Sequence, residues 1–423
     1  MNRRTFLQST AALSGLLIVS PKTAFGYEAN SAVRLGLLGC GGRGTAVATS
    51  FAKKAGARVV ALADIFPDKL ALGKTHFDEV NAGLGQPAID PRLMFHGHTA
   101  FQQLSASREV DAIQISTPPF FHVEHLEGVV NAGKHAYCEK PVGVDMTQSR
   151  HALEISKKAS GKVSIDVGFQ IRSAPPFVEM ARRIHAGQIG SIAAINAYYN
   201  APAATYPDHS GMPADEKRLR EWLWDRTLSG DILLEQNIHV IDICNWMMQA
   251  HPVSAVAKSS RMVVKNPGNT SDNYQVIFTY PGNVRVSFSS TQFGDGSFFE
   301  VSERIFGTAG IADSPYSGAM QIQGENPWVW KDDQAPANAE PAKFAANGAF
   351  SDNLALADAT KDKAFVESIT SGKFHNEIAA GVESAQSCML GRRAAELGRE
   401  VTWDEMQKSS EVYSLRMNID QFK

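Results

Sequence analysis

Gly39-Cys40-Gly41-Gly42-Arg43-Gly44 follows an apolar run at residues 33–38 and leads into a stretch of helical character ending at Phe51. Asp64 closes the next apolar run, 20 residues after Gly44. A G-x-G-x-x-G turn between strand and helix, with an acid at that distance, is the fingerprint of a dinucleotide site. Gly39 permits the tight turn, Gly41 and Gly42 let the backbone approach a pyrophosphate, and Gly44 allows helix and strand to pack closely. The pyrophosphate would rest on the helix N-terminus, where free N–H groups and the dipole favour an anion. Asp64 would accept hydrogen bonds from the adenosine ribose, and its charge repels a 2′-phosphate, which favours NAD. Arg43 keeps NADP open, because a guanidinium in this loop can engage a phosphate. No Lys-Ser or Lys-Thr follows the loop, so it is not a Walker nucleotide site.

Oxidising a secondary alcohol with such a cofactor requires a group that takes the hydroxyl proton and a cation near the forming alkoxide. Lys140 suits the second task, because it follows a strand end on the side where parallel sheets bind ligands. Glu235 and His239 stand four residues apart and share a face if one helix carries both. A histidine of ordinary pKa can take a proton near neutral pH, and an adjacent carboxylate stabilises the imidazolium. Glu235 would either reach the substrate or orient His239. Asn237 offers a donor and an acceptor to a sugar hydroxyl, and Asp242 continues the His239 face in a role equally compatible with structure. Tyr199, Trp222 and Trp224 could form platforms for sugar rings or simply fill a core. His96 with His98, and His122 with His125, have metal-ligand spacing, yet no second ligand pair accompanies either, and no metal is expected.

The elements that must hold these residues alternate. Apolar runs at 33–38, 58–63, 110–116 and 135–139, separated by helical stretches, indicate βαβ units and a parallel sheet. From about residue 190 the texture changes to extended runs at 192–199, 252–264, 273–280, 284–290 and 299–306. Pro281-Gly282-Asn283 marks a hairpin turn between two of them. A second, α+β domain with a largely antiparallel sheet is therefore expected. Residues 313–357 read as a long loop, followed by helical periodicity over 358–397 interrupted at Ser371-Gly372.

Among 423 residues, 41 Lys and Arg face 44 Asp and Glu, a net charge of −3. This length suits two or three domains, and the near-neutral balance gives no footprint for nucleic acid or an anionic membrane. The four cysteines form no CxxC pair. Residues 1–26 hold Arg3, Arg4 and Lys22 and no acid, which leaves 38 − 44 = −6 for residues 27–423. A basic start, an apolar run at 11–19 and Ala24-Phe25-Gly26 follow the order of a secretory signal. Asn2-Arg3-Arg4-Thr5-Phe6-Leu7-Gln8 resembles the twin-arginine export signal, which implies a periplasmic protein exported folded with its cofactor. The apolar run is about half the ~20 residues a membrane span needs, so no stable anchor is expected. The expected layout is a signal at 1–26, a dinucleotide domain at 27–150 and a substrate domain at 151–423.

The glycine loop, Thr117-Pro118 with His122, and Glu139-Lys140-Pro141, in this order, resemble the glucose–fructose oxidoreductase/inositol dehydrogenase/MocA family. The likeness continues through Gly168-Phe169-Gln170-Ile171-Arg172, through residues 230–242, and through Gly391-Arg392-Arg393. It implies a Rossmann domain followed by an α+β domain with a large, mainly antiparallel open sheet through which dimers or tetramers form. It places Thr117, Pro118, His122, Glu139 and Lys140 in the cofactor site, Lys140 at the nicotinamide and substrate hydroxyl, and Arg172 near both ligands. The family commonly has Asp and Gly where this chain has Glu235 and Asn237. The expected activity is NAD(P)-dependent oxidoreduction of a sugar, polyol or glycoside, with the cofactor tightly held. Two alternatives are an NAD-dependent glycoside hydrolase, which oxidises, eliminates and re-reduces, and a non-catalytic sugar-binding or redox-sensing protein.

Overall fold

Two sheets organise the computed structural model, which describes residues 32–293, 298–331 and 352–423. The expected export signal at 1–26 lies outside the described residues. The first sheet is built from β1 (Arg34–Leu38), β2 (Arg58–Asp64), β3 (Met94–His96), β4 (Ala112–Ile115), β5 (His135–Cys138) and β6 (Ile165–Val167). All pairs are parallel, in the order β3-β2-β1-β4-β5-β6. The crossovers carry α1 (Gly42–Lys54), α2 (Pro67–Gly83), α3 (Ala100–Ala106), α4 (His122–Asn131) and α5 (Met146–Ala159). Helices on both faces bury β1, β2 and β4 almost completely, which is why these strands read as unbroken apolar runs. The chain order reverses between β1 and β4, and ligands bind in the crevice beyond the strand ends at such a point.

β3 and β6, three residues each, are too short to show a period and escaped the sequence reading. β6 also carries the first sheet past residue 150, the boundary expected from the sequence.

Among the described residues the second sheet has nine strands: β7 (Ile192–Ala201), β8 (Ser254–Ser260), β9 (Asn273–Thr279), β10 (Arg285–Gln292), β11 (Glu300–Gly307), β12 (Gly310–Pro315), β13 (Gln321–Gly324), β14 (Trp328–Val329) and β15 (Val401–Thr402). Their order is β14-β13-β12-β11-β7-β10-β9-β8-β15, antiparallel throughout except for β7 with β10. α6 (Pro175–His185) precedes β7, and α7 (Ala214–Arg220), α8 (Ile232–Glu235) and α9 (Ile238–Met248) separate β7 from β8. α10 (Ala357–Ser371) and α11 (Ile378–Leu397) follow β14. Tyr274, Val276 and Phe278 of β9 and Val286 and Phe288 of β10 share one buried core with α9 and α11, while Gln275 and Ile277 alternate onto the open face. The loop expected over 313–357 is corrected by β13 and by the edge strand β14, both short and in a glycine- and asparagine-containing stretch; residues 332–351 lie outside the described residues.

Candidate active site

The glycine loop sits at the C-terminal end of β1. Gly39 adopts φ +95°, and a Cβ there would lie 2.6 Å from the Ser116 carbonyl oxygen. A Cβ on Gly44 would lie 2.2 Å from the Gly39 carbonyl oxygen, so α1 can approach the loop only with glycine in place. At Gly41 and Gly42 an added Cβ would meet nothing within 4 Å. Gly39, Gly41 and Gly42 line a cleft of about 630 Å³, together with Asp64 at the end of β2 and Thr117 and Pro118 beyond β4. An open cradle of glycine backbone at a helix N-terminus, with a carboxylate at the next strand end, fits a dinucleotide.

The Asp64 carboxylate accepts from the amides of Cys40 (2.7 Å) and Phe66 (2.9 Å), which aim it across the cleft wall. Burial pushes its pKa up, and these two hydrogen bonds work in the opposite direction. Thr117 Oγ1 lies 3.0 Å from His125 Nδ1.

Arg43 is placed elsewhere than the sequence suggested. Its guanidinium donates to both carboxylate oxygens of Asp358 (2.8 and 2.9 Å) and to Glu139 Oε1 (2.9 Å). Arg43 and Glu139 therefore pair with each other and clamp α1 to β5 and α10; neither lines the cleft. His122 is likewise internal. Its two ring nitrogens lie 2.8 Å from the Pro141 carbonyl and 2.7 Å from the Thr117 carbonyl, so it ties the cleft wall to the loop that carries Lys140.

Lys140 follows β5, and its Nζ donates to the carbonyl of Glu235 and, at 3.1 Å, to Glu235 Oε1. Both side chains are 13% exposed, so the pair is shielded but still reachable. Glu235 and His239 do not ride on one helix. α8 ends at Glu235, and the amides of Gln236 and Asn237 both donate to Ile232 O, the second across five residues. This wide turn, of the kind found at π-bulges, resets the helix before α9. Glu235 consequently pairs with Lys140 rather than with His239. Burial drives the His239 imidazole well below 6.5, and Lys140 and Arg43 push the same way. The expected carboxylate-stabilised imidazolium is thus replaced by a neutral ring.

Buried polar atoms collect at this turn. Asn237 is fully buried, and neither its Nδ2 nor its Oδ1 has a partner among the described residues. The same holds for His239 Nδ1, Gln170 Oε1 and Gln236 Oε1. Leaving such a group unpaired costs about 1–3 kcal/mol, which a hydroxylated ligand would offset. Tyr199 on β7 is buried with its phenol pKa pushed well up by burial and by Glu235, which brings it to the same cluster.

The remaining substrate candidates go elsewhere. Arg172 grips Asp242 through two hydrogen bonds of 2.7 and 2.8 Å, and Ser384 Oγ donates to Asp242 at 2.7 Å. Asp242 is buried, and Arg172, with 29% of its side chain exposed, is its ion-pair partner. Trp224 packs edge-on against Tyr206, with centroids 5.0 Å apart, and lines a small cavity of about 30 Å³ rather than the cleft. Trp222 does line the cleft.

Asp231 was missed as a positioning residue. It is fully buried at φ +77°, and its carboxylate accepts from Ile232 N and Ser271 N (2.8 Å each), Ser271 Oγ (3.1 Å) and Tyr274 Oη (3.0 Å). It starts the short helix that presents Glu235. The available signal was an acid after Gly230 just before an apolar run, the pattern of a helix N-cap. Among the described residues no group of three or more His, Cys, Asp or Glu could hold a metal, and no helix is long and apolar enough to cross a membrane.

A model for an oxidoreductase family with an NAD-binding Rossmann fold matches residues 33–167, and a model for the GFO/IDH/MocA C-terminal domain matches residues 177–313. Inositol 2-dehydrogenase of Rhizobium meliloti (strain 1021) is 28% identical over 240 residues, 57% of this chain and 62% of that protein. A glycosyl hydrolase family 109 protein of Streptomyces niveus is 30% identical over 220 residues, 49% of this chain and 40% of that protein. The matched stretch is less than two thirds of either relative's length. Scyllo-inositol dehydrogenase from Lactobacillus casei, solved with bound NAD(H) and scyllo-inositol, shares the fold with a TM-score of 0.65 at 18% identity, over 88% of this chain and 99% of that one.

Proposed function

The chain belongs to the Gfo/Idh/MocA family of NAD-binding oxidoreductases, and from that premise we propose that it transfers a hydride between NAD(H) and a secondary alcohol of a sugar or polyol. The observation that carries this reading is the meeting of Lys140, Glu235 and His239 with the side-chain amide of Asn237, which has no partner among the described residues, beyond the C-terminal end of β5. When bound, NAD supplies the acceptor or donor of the hydride. Gly39, Gly41, Gly42, Asp64, Thr117 and Pro118 would hold it in the cleft.

The chain's own groups then handle the oxygen and its proton. Lys140 Nζ has three donors, and Glu235 takes two of them; the third is left for a substrate oxygen, whose developing negative charge the ammonium stabilises. The neutral imidazole of His239 accepts the hydroxyl proton in oxidation and returns it in reduction. Asn237 orients neighbouring hydroxyls with one donor and one acceptor. Asp64 supports NAD over NADP in this reading, and Arg43, paired with Asp358 and Glu139, lends NADP no support.

Net glycoside hydrolysis is the second reading, favoured by the likeness to the family 109 glycosyl hydrolase protein. The export signal read at residues 1–26 remains part of the proposal, since a retained cofactor suits a compartment without free NAD. The deciding experiment releases nucleotide from the purified protein for mass spectrometry, then follows NADH absorbance across polyols, sugars and glycosides. NADH formed with a secondary alcohol supports oxidoreduction; glycoside cleavage without net NADH supports hydrolysis. A protein that binds no NAD(H) overturns both.

A further inference from the structure

Residues 409–423 follow the last full helical turn, Trp403–Gln407, and contain no regular element apart from one turn at Ile419–Gln421. This segment is nevertheless pinned at both ends. At the near end, Ser409 O accepts from Arg150 (3.0 Å), Tyr413 N donates to Asp145 (2.8 Å), and the buried Arg392 guanidinium lies 4.8 Å from the Tyr413 ring centroid. At the far end, the backbone amide and the ring Nδ1 of His98 each lie 2.8 Å from Phe422 O, and the Phe422 ring stands edge-on to Phe66. His98 thereby gains a role distinct from the metal spacing seen in the sequence.

Between the pins the segment reaches the dinucleotide cleft, which Leu415, Ile419 and Asp420 line together with Gly41 and Asp64. Arg218 holds Leu415 O from α7, and Gln421 Nε2 donates to Asp215 at the start of α7, so the segment and α7 form one cover. Arg220 fastens that cover to the cofactor domain through two hydrogen bonds to Asp68 (2.7 and 3.0 Å) and a guanidinium 3.9 Å from the Phe66 ring centroid. Arg416 adopts φ +48°, a left-handed conformation that a non-glycine residue keeps only where its surroundings enforce it.

We propose that residues 409–423 form a strap across the adenosine side of the cleft, in which Leu415, Ile419 and the Phe66–Phe422 pair belong to the cofactor site and set how long the dinucleotide stays. The proposal rests on the assignment of the cleft to NAD(H) made above. Asp64 marks the ribose position. The cleft around it carries the apolar and aromatic side chains of Phe66, Trp222, Leu415 and Ile419, of the kind a planar base packs against. A ligand covered by a pinned segment leaves only when the segment opens, so the strap acts chiefly on dissociation.

The test measures the NADH dissociation rate by displacement from the full chain, from the Ile419→Ala/Phe422→Ala variant, and from a chain ending after Tyr413, which keeps the near-end anchors. Both altered proteins are expected to release NADH about tenfold faster or more. In the intact chain, bound NADH is expected to protect residues 409–423 from limited proteolysis. Release from the double variant within about twofold of the intact chain overturns the strap, and so does proteolysis of the segment that NADH leaves unchanged. Should the shortened chain fail to fold, the double variant decides. An intact chain that takes up no NADH overturns the cofactor reading itself, whereas an intact chain that binds NADH with an unaltered release rate in the variant overturns only the strap.

Discussion

At the residue scale, two glycines three positions apart do different work. An added Cβ at Gly41 enters open space, while one at Gly44 strikes the Gly39 carbonyl oxygen at 2.2 Å. Gly41→Ala is therefore expected to leave thermal unfolding almost unchanged and to weaken NADH binding about tenfold or more. Gly44→Ala is expected to lose about 1–3 kcal/mol of stability. Parallel unfolding and NADH titrations separate the two. Lys140→Met removes the cation while keeping the length of the side chain, and turnover should fall about 10²–10⁴-fold, with NADH binding largely retained. The neutral state of His239 has a pH consequence. Its pKa is depressed by burial and by two cations, so the proton-accepting form persists on acidification. The acid limb of kcat/KM is expected well below pH 6.5, and a limb at or above that value would remove His239 as the base.

At the element scale, the site depends on how α8 begins and ends. Asp231 holds its strained φ because four donors converge on its carboxylate. Asp231→Ala loses the helix cap and leaves the Tyr274 hydroxyl and the Ser271 amide without their acceptor. A cost of about 2–4 kcal/mol is expected in denaturant unfolding, together with loss of turnover because Glu235 no longer meets Lys140. Retention of full activity would show that α8 is positioned by its packing alone. The seam between the sheets uses the same device. Lys361, buried in α10, lies 3.4 Å from Asp166 of β6 and 2.6 Å from Glu377 before α11, and Arg43 joins α1 to α10 through Asp358. Buried pairs of this kind select a unique docking more than they add net stability.

At the scale of the whole molecule, two carboxyls carry a proton into the interior. Burial pushes Asp362 from 3.8 up to about 8, with Asp358 acting in the same direction, and pushes Glu303 from 4.5 up to about 8. The unfolded chain releases these protons at its lower pKa values, while the folded chain keeps them. Their contribution is therefore full in acid below the ordinary values and is lost as the pH rises to about 8. The melting temperature is expected to fall between pH 5 and pH 8.5, roughly the span of these shifts, and Asp362→Asn with Glu303→Gln should flatten that slope. A slope equal to that of the parent would show that other groups dominate. NADH at about 100 times its dissociation constant should add about 2.7 kcal/mol, seen as a rise in melting temperature.

Local pattern was enough for the glycine loop, for Asp64 at the next strand end and for the change from parallel to antiparallel sheet, because each is written in neighbouring residues or in a period of two or 3.6. It also places Lys140 two residues beyond the end of β5, where the proposed function uses it. It could not choose partners for long charged side chains. Lys140 finds Glu235 95 residues away, Arg43 finds Asp358 across 315, and His98 meets Phe422 across 324. Arg43, Glu139, Arg172 and Asp242 are charged, as Lys140 is, and tertiary structure gives each its partner: Asp358 and Glu139 for Arg43, Asp242 for Arg172 and Glu235 for Lys140. The spacing of Glu235 and His239 misled for a related reason: an i, i+4 pair shares a face only on an unbroken helix, and the wide turn at Gln236–Asn237 is set by packing. The residues determined what chemistry was available. Tertiary structure decided which partner each charge meets, because that depends on distance in space rather than along the chain.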